Sequence, residues 1–474
     1  MSSTRTFLIV LAVWALIYLP WLGSSGLRSE EGHRVMPAVE MLESGNFLVP
    51  HVAGEPYVRK PPLINWLVAA SFKFTGLRND WTARLPSPLS ILLVAIVLVV
   101  FARRALGNHG ATAAALAWLT SLGMIEKGRM IEIEALYVSL CAVALIAWLL
   151  ASQDKRSPWL IWILPAIFLG LGLLTKGPTL LLFFYACVTA VLWKEGKLRA
   201  LLHPAHIASV VAMCGIFAAW AVPYSRAIPP KEISGTWSSE MLSRFTGAEA
   251  TFHDWLLNFP LGIAYFLPFA LLLPFVRFAK MPRDDERIAR ALLCGAAMPF
   301  VTILLLPGAI PRYVLPIMLP ACWIFGLAIK ADAFEWRLPL GRRVAVSAKI
   351  VWRLATVIAV SAAVIFPLRS ATVLRTKPGF AAAAAPINAA LPAGEQLYAV
   401  DPEFQPYLLY IKAPVKYVQT MEQLPPDARY FVVRAKLQRA VESSPRWGRA
   451  RPRLIARTPS FRGRETLLYE VAPP

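Results

Sequence analysis

Long apolar runs recur along most of this 474-residue chain, and they limit what it can fold into. An α-helix needs about 20 consecutive apolar residues to cross the hydrocarbon core of a bilayer. We therefore predict about eleven transmembrane helices, within a range of about ten to thirteen. The runs that predict them are 6–22, 84–102, 110–125, 133–151, 158–174, 178–193, 206–223, 261–276, 289–306, 313–329 and 350–367.

The composition agrees with a membrane protein. Hydrophobic residues make up 57% of the chain and charged residues only 16%, too little charge to cover a soluble protein of this length. The first run follows Arg5 and could also be a cleaved signal peptide. Its length, and the absence of a convincing small-residue cleavage site after it, favour an uncleaved first transmembrane helix.

The net charge of +21 could indicate a nucleic-acid-binding protein. In a membrane protein, a cytoplasmic excess of Lys and Arg explains it, so we predict no nucleic-acid partner. With a cytoplasmic N-terminus, the inner loops hold eighteen of these cations and the short outer loops seven. The asymmetry predicts this orientation, with residues 28–66 and the tail after about residue 369 on the outer side.

Residues 28–66 form a polar segment between the first two apolar runs. The segment is too polar to span a bilayer, and it opens with the acidic pair Glu30-Glu31. Stretches around 35–43 and 63–75 predict two helices that lie at the membrane interface. We therefore expect a long outer loop with interfacial helices.

Lys60 stands directly before two prolines, Pro61 and Pro62. Proline fixes its own backbone and biases the preceding residue away from helix. A lysine held in this way at the membrane surface suits a phosphate group, which it can bind as a point charge.

The tail, residues 370–474, has short apolar stretches broken by proline and charge. It predicts a small α/β domain that follows a membrane module of residues 1–369. Its arginine content would suit an anionic membrane surface or glycolipid, and a simple basic soluble domain explains the same composition. We predict strands at 397–400, 407–411, 430–433 and 467–471, and a helix at 436–443.

Ionisable residues collect where the apolar runs meet the predicted outer side, among them Glu132, Glu134, Lys176 and Arg312. Such charges can simply anchor helix ends in the interface. That explanation is weaker for Glu132 and Glu134, which open an apolar run. A spacing of two residues puts them on different helix faces, so at least one should face inward and need a partner.

Together these residues resemble the C-type fold membrane glycosyltransferases of family 39, the aminoarabinose-transferase and protein O-mannosyltransferase group. The resemblance covers the chain to about residue 330, in order. It lies in the acidic pair, in Glu40-Met41-Leu42-Glu43-Ser44-Gly45-Asn46-Phe47, in Gly54-Glu55-Pro56-Tyr57, in Lys60-Pro61-Pro62-Leu63 with Trp66, and in residues 83–87, 173–178 and 312–316.

The resemblance implies a mostly α, polytopic protein of the bacterial inner membrane, with a periplasmic active site and a small periplasmic α/β domain. It also implies a reaction in which a sugar moves from a polyprenyl-phosphate carrier to an acceptor, with inversion at the anomeric carbon. The expected partners are this lipid-linked donor, a lipid A-like glycolipid or polysaccharide acceptor, and membrane lipids.

The resemblance further implies roles for individual residues. Glu30 corresponds to the carboxylate that takes the acceptor's proton, with Glu31 beside it and Glu134 as a further catalytic carboxylate. Lys60 corresponds to the cation that holds the leaving phosphate. Further phosphate-binding candidates are Arg59, Arg34, Tyr313 and Arg312, and the candidates for supporting roles are Glu132, His33 and Lys176.

Five positions depart from the family pattern. Glu30 replaces an Asp, and His33-Arg34 replaces an Arg-Tyr pair. Some members bind a divalent metal through an acid next to the lysine and a histidine in a later outer loop. Arg59 and Met241 stand at those positions here, so we predict no metal and no cofactor.

Two other functions remain open at this stage. A catalytically inactive relative with a binding role would be compatible with the changes around Glu30. A transporter or flippase would also combine many helices with membrane-embedded charges. Such a protein is expected to show paired halves with broken helices near the midplane, which the sequence does not indicate.

Overall fold

The structure is a computed structural model that describes residues 3–247, 251–337, 343–345, 347–374, 380–448, 451–458 and 465–472. The chain forms two compact units. The helical unit comprises Met1–Leu22, Val58–Leu67 and Arg84–Arg369. The sheet unit comprises Gly23–Tyr57, Val68–Ala83 and Ser370–Pro474.

The described elements are numbered in chain order. The helices are α1 (Ser3–Tyr18), α2 (Gly32–Ser44), α3 (Leu63–Thr75), α4 (Asp80–Arg84), α5 (Pro86–Val100), α6 (Arg103–Thr120), α7 (Leu122–Gly128), α8 (Ile133–Gln153), α9 (Pro158–Leu173), α10 (Thr179–Lys194), α11 (Pro204–Ala227), α12 (Pro230–Thr246), α13 (Phe252–Ala264), α14 (Arg283–Leu305), α15 (Met318–Lys330), α16 (Ala348–Arg369), α17 (Phe380–Ala390) and α18 (Gln438–Ser443). The strands are β1 (His51–Val52), β2 (Glu55–Pro56), β3 (Glu335–Arg337), β4 (Arg343–Ala345), β5 (Leu397–Val400), β6 (Val415–Val418), β7 (Tyr430–Arg434), β8 (Arg453–Arg457) and β9 (Thr466–Glu470).

The prediction of a mostly helical, multi-span membrane protein with a small C-terminal sheet is confirmed. Shorter apolar helices, α1, α9 and α10, lie where three further spans were predicted. The predicted count of about eleven spans stays a prediction. Within the described part of the chain, six helical segments are long and apolar enough to cross a membrane: Asp80–Val100, Ile133–Gln153, Pro204–Ala227, Arg283–Leu305, Pro311–Lys330 and Ala348–Val373.

The run at 261–276 is not the continuous helix that its hydropathy predicts. α13 ends at Ala264, and the chain continues through 3₁₀ turns at Phe269–Leu271 and Leu273–Phe275, at an angle of 86°. Pro268 and Pro274 lie in this stretch, and each removes a backbone donor and crowds the preceding helical turn. Hydropathy alone does not register that effect.

The sheet unit contains a five-stranded sheet in the order β6-β5-β7-β9-β8. β5 pairs in parallel with β6 and β7, while β9 is antiparallel to β7 and β8. The core of the sheet includes the ring of Phe431, stacked between Trp447 and Tyr469 at centroid distances of 5.4 Å.

The strand predicted at 407–411 is a 3₁₀ turn, Pro406–Tyr410. Pro406 opens this turn and cannot donate a ladder hydrogen bond, so the segment cannot serve as an inner strand. The sequence analysis did not predict β6 and β8, which flank the sheet on its two edges.

The domain boundary after residue 369 stays a prediction. In the structure, most of the first polar segment groups with the tail. The reason is apolar packing within the sheet unit. Met36, Val52 and Tyr57 form a buried cluster onto which Phe404 and other tail residues pack. The Glu40 carboxylate accepts hydrogen bonds from the backbone of Ala53 and Gly54, which ties α2 to the β1–β2 hairpin.

α6 and α15 pack closely at two glycines in the helical unit. A Cβ atom built on Gly110 would lie 2.4 Å from the carbonyl oxygen of Gly326, and one on Gly326 would lie 2.9 Å from that of Gly110. Backbone atoms cannot move aside as a flexible side chain can. Glycine at these positions therefore sets the distance between the two helices.

We expect Gly110→Ala to lower the free energy of unfolding by about 1–3 kcal/mol, because the added methyl group overpacks the α6–α15 contact. Gly215→Ala in α11 is the matched control, since a Cβ there meets nothing within 4 Å and alanine favours helix. Thermal unfolding of both variants in detergent tests the prediction. Equal stability of the two variants would contradict it.

Candidate functional site

Glu134, Lys176 and Arg312 meet in the helical unit. Glu134 lies in the first turn of α8, Lys176 follows α9, and Arg312 lies in the 3₁₀ segment Pro311–Ile317 before α15. Nζ of Lys176 donates to Oε1 of Glu134 at 3.1 Å, and Nε of Arg312 lies 3.2 Å from the same oxygen. The side chain of Glu134 is only 8% exposed. One buried carboxylate thus faces two cations, which leaves one local positive charge in excess.

Lys127 forms a second, adjoining arrangement at the end of α7. Its Nζ lies 2.8 Å from Glu126 and 3.0 Å from Glu132. Glu132 is the N-terminal cap residue of α8, so its spacing of two from Glu134 brings both carboxylates to the start of one helix. Both side chains are buried. Here two carboxylates face one cation, so the charge balance is opposite to that around Glu134.

Burial and charge act against each other on Lys127. Burial lowers its pKa, but the carboxylates of Glu132 and Glu126 outweigh this effect and hold the pKa above its ordinary value. Burial raises the pKa of Glu132, and the neighbouring Glu134 raises it further, against the opposing effect of Lys127. Lys127 therefore stays charged, and it is the main cation that stabilises the charged form of Glu132 in this buried position.

Two tyrosine rings flank Lys176. Its Nζ lies 4.5 Å from the ring centroid of Tyr313 and 5.5 Å from that of Tyr137, within cation–π range. The Tyr137 hydroxyl is 2.6 Å from Oγ1 of Thr179. Tyr137 was not predicted as a site residue, although it follows Glu134 by three positions. That spacing places two side chains on one helix face, and it could have found Tyr137.

The loop that carries Lys60 adjoins the same part of the helical unit. The amide of Leu63, just after the two prolines, donates to the carbonyl of Leu174 at 3.1 Å. Nε1 of Trp237 donates to the carbonyl of Val58 at 2.7 Å and holds the start of the loop. Lys60 is half-buried and Arg59 is exposed. The backbone contact joins the Lys60 loop to the chain two residues before Lys176.

The acidic pair lies in the sheet unit, and its two members have different surroundings. Nδ1 of His33 lies 2.9 Å from Oε2 of Glu30, close enough for an ion pair when the imidazole is protonated. Glu31 is fully buried, and its Oε2 accepts a hydrogen bond from the amide of Arg28. Arg34 donates to the hydroxyl of Tyr57 at 2.9 Å. Glu30 keeps a partly exposed carboxylate, whereas Glu31 and Arg34 make internal contacts.

Within the ranges that the structure describes, no three His, Cys, Asp or Glu side chains are arranged to hold a metal ion. Arg59, at one expected ligand position, is a cation and cannot serve as a ligand. The side chain of Met241, at the other position, lies outside the described residues. The expectation of no metal and no cofactor stays a prediction.

Comparisons with known proteins agree with this architecture. The sequence family described as dolichyl-phosphate-mannose-protein mannosyltransferase matches residues 59–221. The undecaprenyl phosphate-alpha-4-amino-4-deoxy-L-arabinose arabinosyl transferase of Pseudomonas savastanoi pv. phaseolicola is 27% identical over 72% of this chain and 63% of its own length. Its namesake from Erwinia tasmaniensis is 29% identical over 68% of this chain and 58% of its own length.

A crystal structure of ArnT from Cupriavidus metallidurans bound to undecaprenyl phosphate has a TM-score of 0.73 to this chain at 18% identity. The match covers 98% of this chain and 97% of that one, so the two share a fold. The alignments span less than two thirds of the length of the two curated relatives. The resemblance to C-type fold membrane glycosyltransferases is confirmed.

We expect Lys127→Met to lower the free energy of unfolding by about 3 kcal/mol, because it leaves the buried carboxylate of Glu132 without its cation. Glu126→Gln is the matched control on the same lysine. Its side chain is 51% exposed, so the change should cost less than about 1 kcal/mol. Reversible unfolding in mixed detergent micelles measures both values. Similar losses in the two variants would show that Glu132 does not depend on Lys127.

Proposed function

We propose that this protein is a glycosyltransferase that moves a sugar from an undecaprenyl-phosphate-linked donor to an acceptor at the outer face of the inner membrane. The observation that carries the proposal is the meeting of two cations, Lys176 and Arg312, at the single buried carboxylate of Glu134. Two partly buried cations next to membrane-spanning helices suit the phosphate of a lipid carrier.

The reaction needs two functions from the protein: cations for the leaving phosphate and a base for the acceptor. An acceptor oxygen attacks the anomeric carbon and forms the new bond, while the bond from that carbon to the phosphate oxygen breaks. The phosphate leaves with the electron pair, and because it is a stable anion it needs cations rather than a general acid. A carboxylate takes the proton from the acceptor. Attack opposite to the leaving phosphate inverts the anomeric carbon.

In this proposal Glu30 takes the proton and Lys60 holds the leaving phosphate. The partly exposed carboxylate of Glu30 supports the first role, since a base must reach its substrate. The prolines after Lys60, and the hydrogen bond from Leu63 to Leu174, support the second by holding the loop next to the Lys176 turn. Arg59, Arg312 and Tyr313 are further candidates for contacts with the phosphate, and Glu134 orients the cations that pair with it.

The names of the relatives suggest 4-amino-4-deoxy-L-arabinose as the first sugar to test, and the family resemblance suggests a lipid A-like acceptor. A polysaccharide acceptor fits the same chemistry. In the proposed orientation the N-terminus is cytoplasmic and the sheet unit is periplasmic, as the distribution of cations between the loops indicates.

A catalytically inactive relative with a binding role is the second candidate, and one contact favours it. A protonated His33 at 2.9 Å from Glu30 would compete with an acceptor hydroxyl for the carboxylate. Glu30 is also one methylene longer than the Asp of the family pattern. Such a protein would bind the lipid phosphate through the same cations but transfer no sugar.

We expect Glu30→Gln to reduce sugar transfer by at least about 100-fold, because the amide cannot accept the proton. Mass spectrometry of lipid extracts from a gene deletion strain, complemented with each variant, would measure the missing pentose-, hexose- or uronate-sized increment. Glu43→Gln is the matched control, since Glu43 lies in the same polar segment with a 56% exposed side chain. Unchanged transfer in Glu30→Gln would refute Glu30 as the base.

We expect Lys60→Met and Arg59→Ala each to weaken binding of undecaprenyl phosphate by about 10- to 100-fold, the value of one lost charge-assisted contact. Ligand-induced thermal stabilisation of the purified protein measures this binding. Lys73→Met removes an exposed cation from α3 and should leave binding unchanged. Full affinity in Arg59→Ala would remove Arg59 from the proposed phosphate site, and the same result for Lys60→Met would remove Lys60.

A further inference from the structure

We propose that Phe404, from the loop after β5, is a positioning residue that holds Glu30 in place through His33. This inference rests on the proposed function, because it assumes that Glu30 is the base. It gives the C-terminal tail a role in the reaction. Phe404 lies outside the family match at residues 59–221 and outside the sequence motifs.

The central contact is a stacked pair of rings in the sheet unit. The ring of Phe404 lies parallel to the imidazole of His33, with centroids 3.5 Å apart and an angle of 12° between the planes. The imidazole is in turn 2.9 Å from the Glu30 carboxylate through Nδ1. His33 is only 5% exposed, so Phe404 covers one face of a ring that has little freedom to turn. The orientation of Glu30 is thereby linked to Phe404.

Two further contacts connect the stretch around Glu30 to the tail after β5. A Cβ atom on Gly32 would lie 2.6 Å from Cβ of Pro406 and 2.9 Å from the ring of Phe404, so only glycine allows this approach. The amide of Leu27 donates to the hydroxyl of Tyr410 at 2.7 Å. The stretch that carries Glu30 is therefore held by the tail on both sides of the acidic pair.

The turn that presents Phe404 has an unusual backbone. Asp401 and Glu403 have φ angles of 44° and 49°, in the left-handed region that non-glycine residues rarely adopt. The guanidinium of Arg434, at the end of β7, forms ion pairs with both carboxylates. Backbone conformations of this kind persist where the surroundings over-determine them. Arg434 of the sheet thus holds the turn in one conformation, and the turn sets the position of Phe404.

This arrangement suits a glutamate base. Glutamate has one more rotatable bond than aspartate, and a base that samples several positions spends less time in line with the acceptor. A misplacement of about 1 Å can reduce a rate by about 100-fold. His33 stacked on Phe404 acts on Glu30 and is not among the residues proposed to bind the phosphate, so the contact should affect the rate of transfer and leave binding of the lipid unchanged.

The test compares Phe404→Ala with Phe404→Tyr in the full-length protein. Undecaprenyl-phosphate-linked aminoarabinose is the donor and lipid A the acceptor. We expect Phe404→Ala to lower kcat about 10- to 100-fold, with KM for the donor and binding of undecaprenyl phosphate changed less than about twofold. Phe404→Tyr keeps the ring and should restore kcat. Leu409→Ala, in the same tail stretch and the same apolar cluster, is the control for packing and should keep kcat.

A double-mutant comparison separates positioning from general stability. Once His33→Ala has removed the stacked ring, Phe404→Ala should reduce kcat no further, because both act through one contact. Additive losses, or a loss in Leu409→Ala equal to that in Phe404→Ala, would overturn the proposal. If Glu30→Gln abolishes transfer while Phe404→Ala is fully active, only this inference fails. If Glu30→Gln is fully active, Glu30 is not the base, and the proposed function loses its mechanism as well.

Discussion

The helical unit depends on ion pairs between charged side chains that become buried at the ends of membrane-spanning helices. Glu134 opens α8 with a side chain that is 8% exposed, and Lys176 and Arg312 reach its carboxylate from two other parts of the chain. A buried carboxylate without a partner is far more costly than a pair, so these three segments must meet for the helices to pack. The same contacts bring Lys176 and Arg312 to one carboxylate, which supports the proposed phosphate site.

Hydropathy predicted where helices lie, because burial in lipid depends on composition over about 20 residues. It could not predict the break after Ala264 or the 3₁₀ turn at Pro406–Tyr410. Both follow from prolines, each of which removes a backbone donor without changing the apolar character of the run. The edge strands β6 and β8 carry partly exposed, mixed side chains, so their sequences lack the apolar pattern that marks the central strands.

Part of the candidate site could likewise be predicted from the sequence, and part could not. Glu132, Glu134, Lys176 and Arg312 could be found from the sequence because charges at the ends of apolar runs need an explanation. The sequence could not show that one carboxylate serves both cations, since that depends on the turn after α9 and the segment before α15 approaching each other. Phe404 carried no signal at all. It is one aromatic residue in the tail, outside the sequence motifs, and only the fold brings its ring onto that of His33.

The departures from the family pattern around Glu30 can be explained together, because the residues involved contact one another. A longer acid at position 30 needs more restraint than an aspartate, and the residue three positions later is a histidine whose flat ring can be stacked. The stacked ring, the glycine at position 32 that lets the tail approach, and the strained turn held by Arg434 all restrict the same carboxylate. The residues around Glu30 thus form one connected arrangement, which supports the proposal that Glu30 is a base held in place by its neighbours.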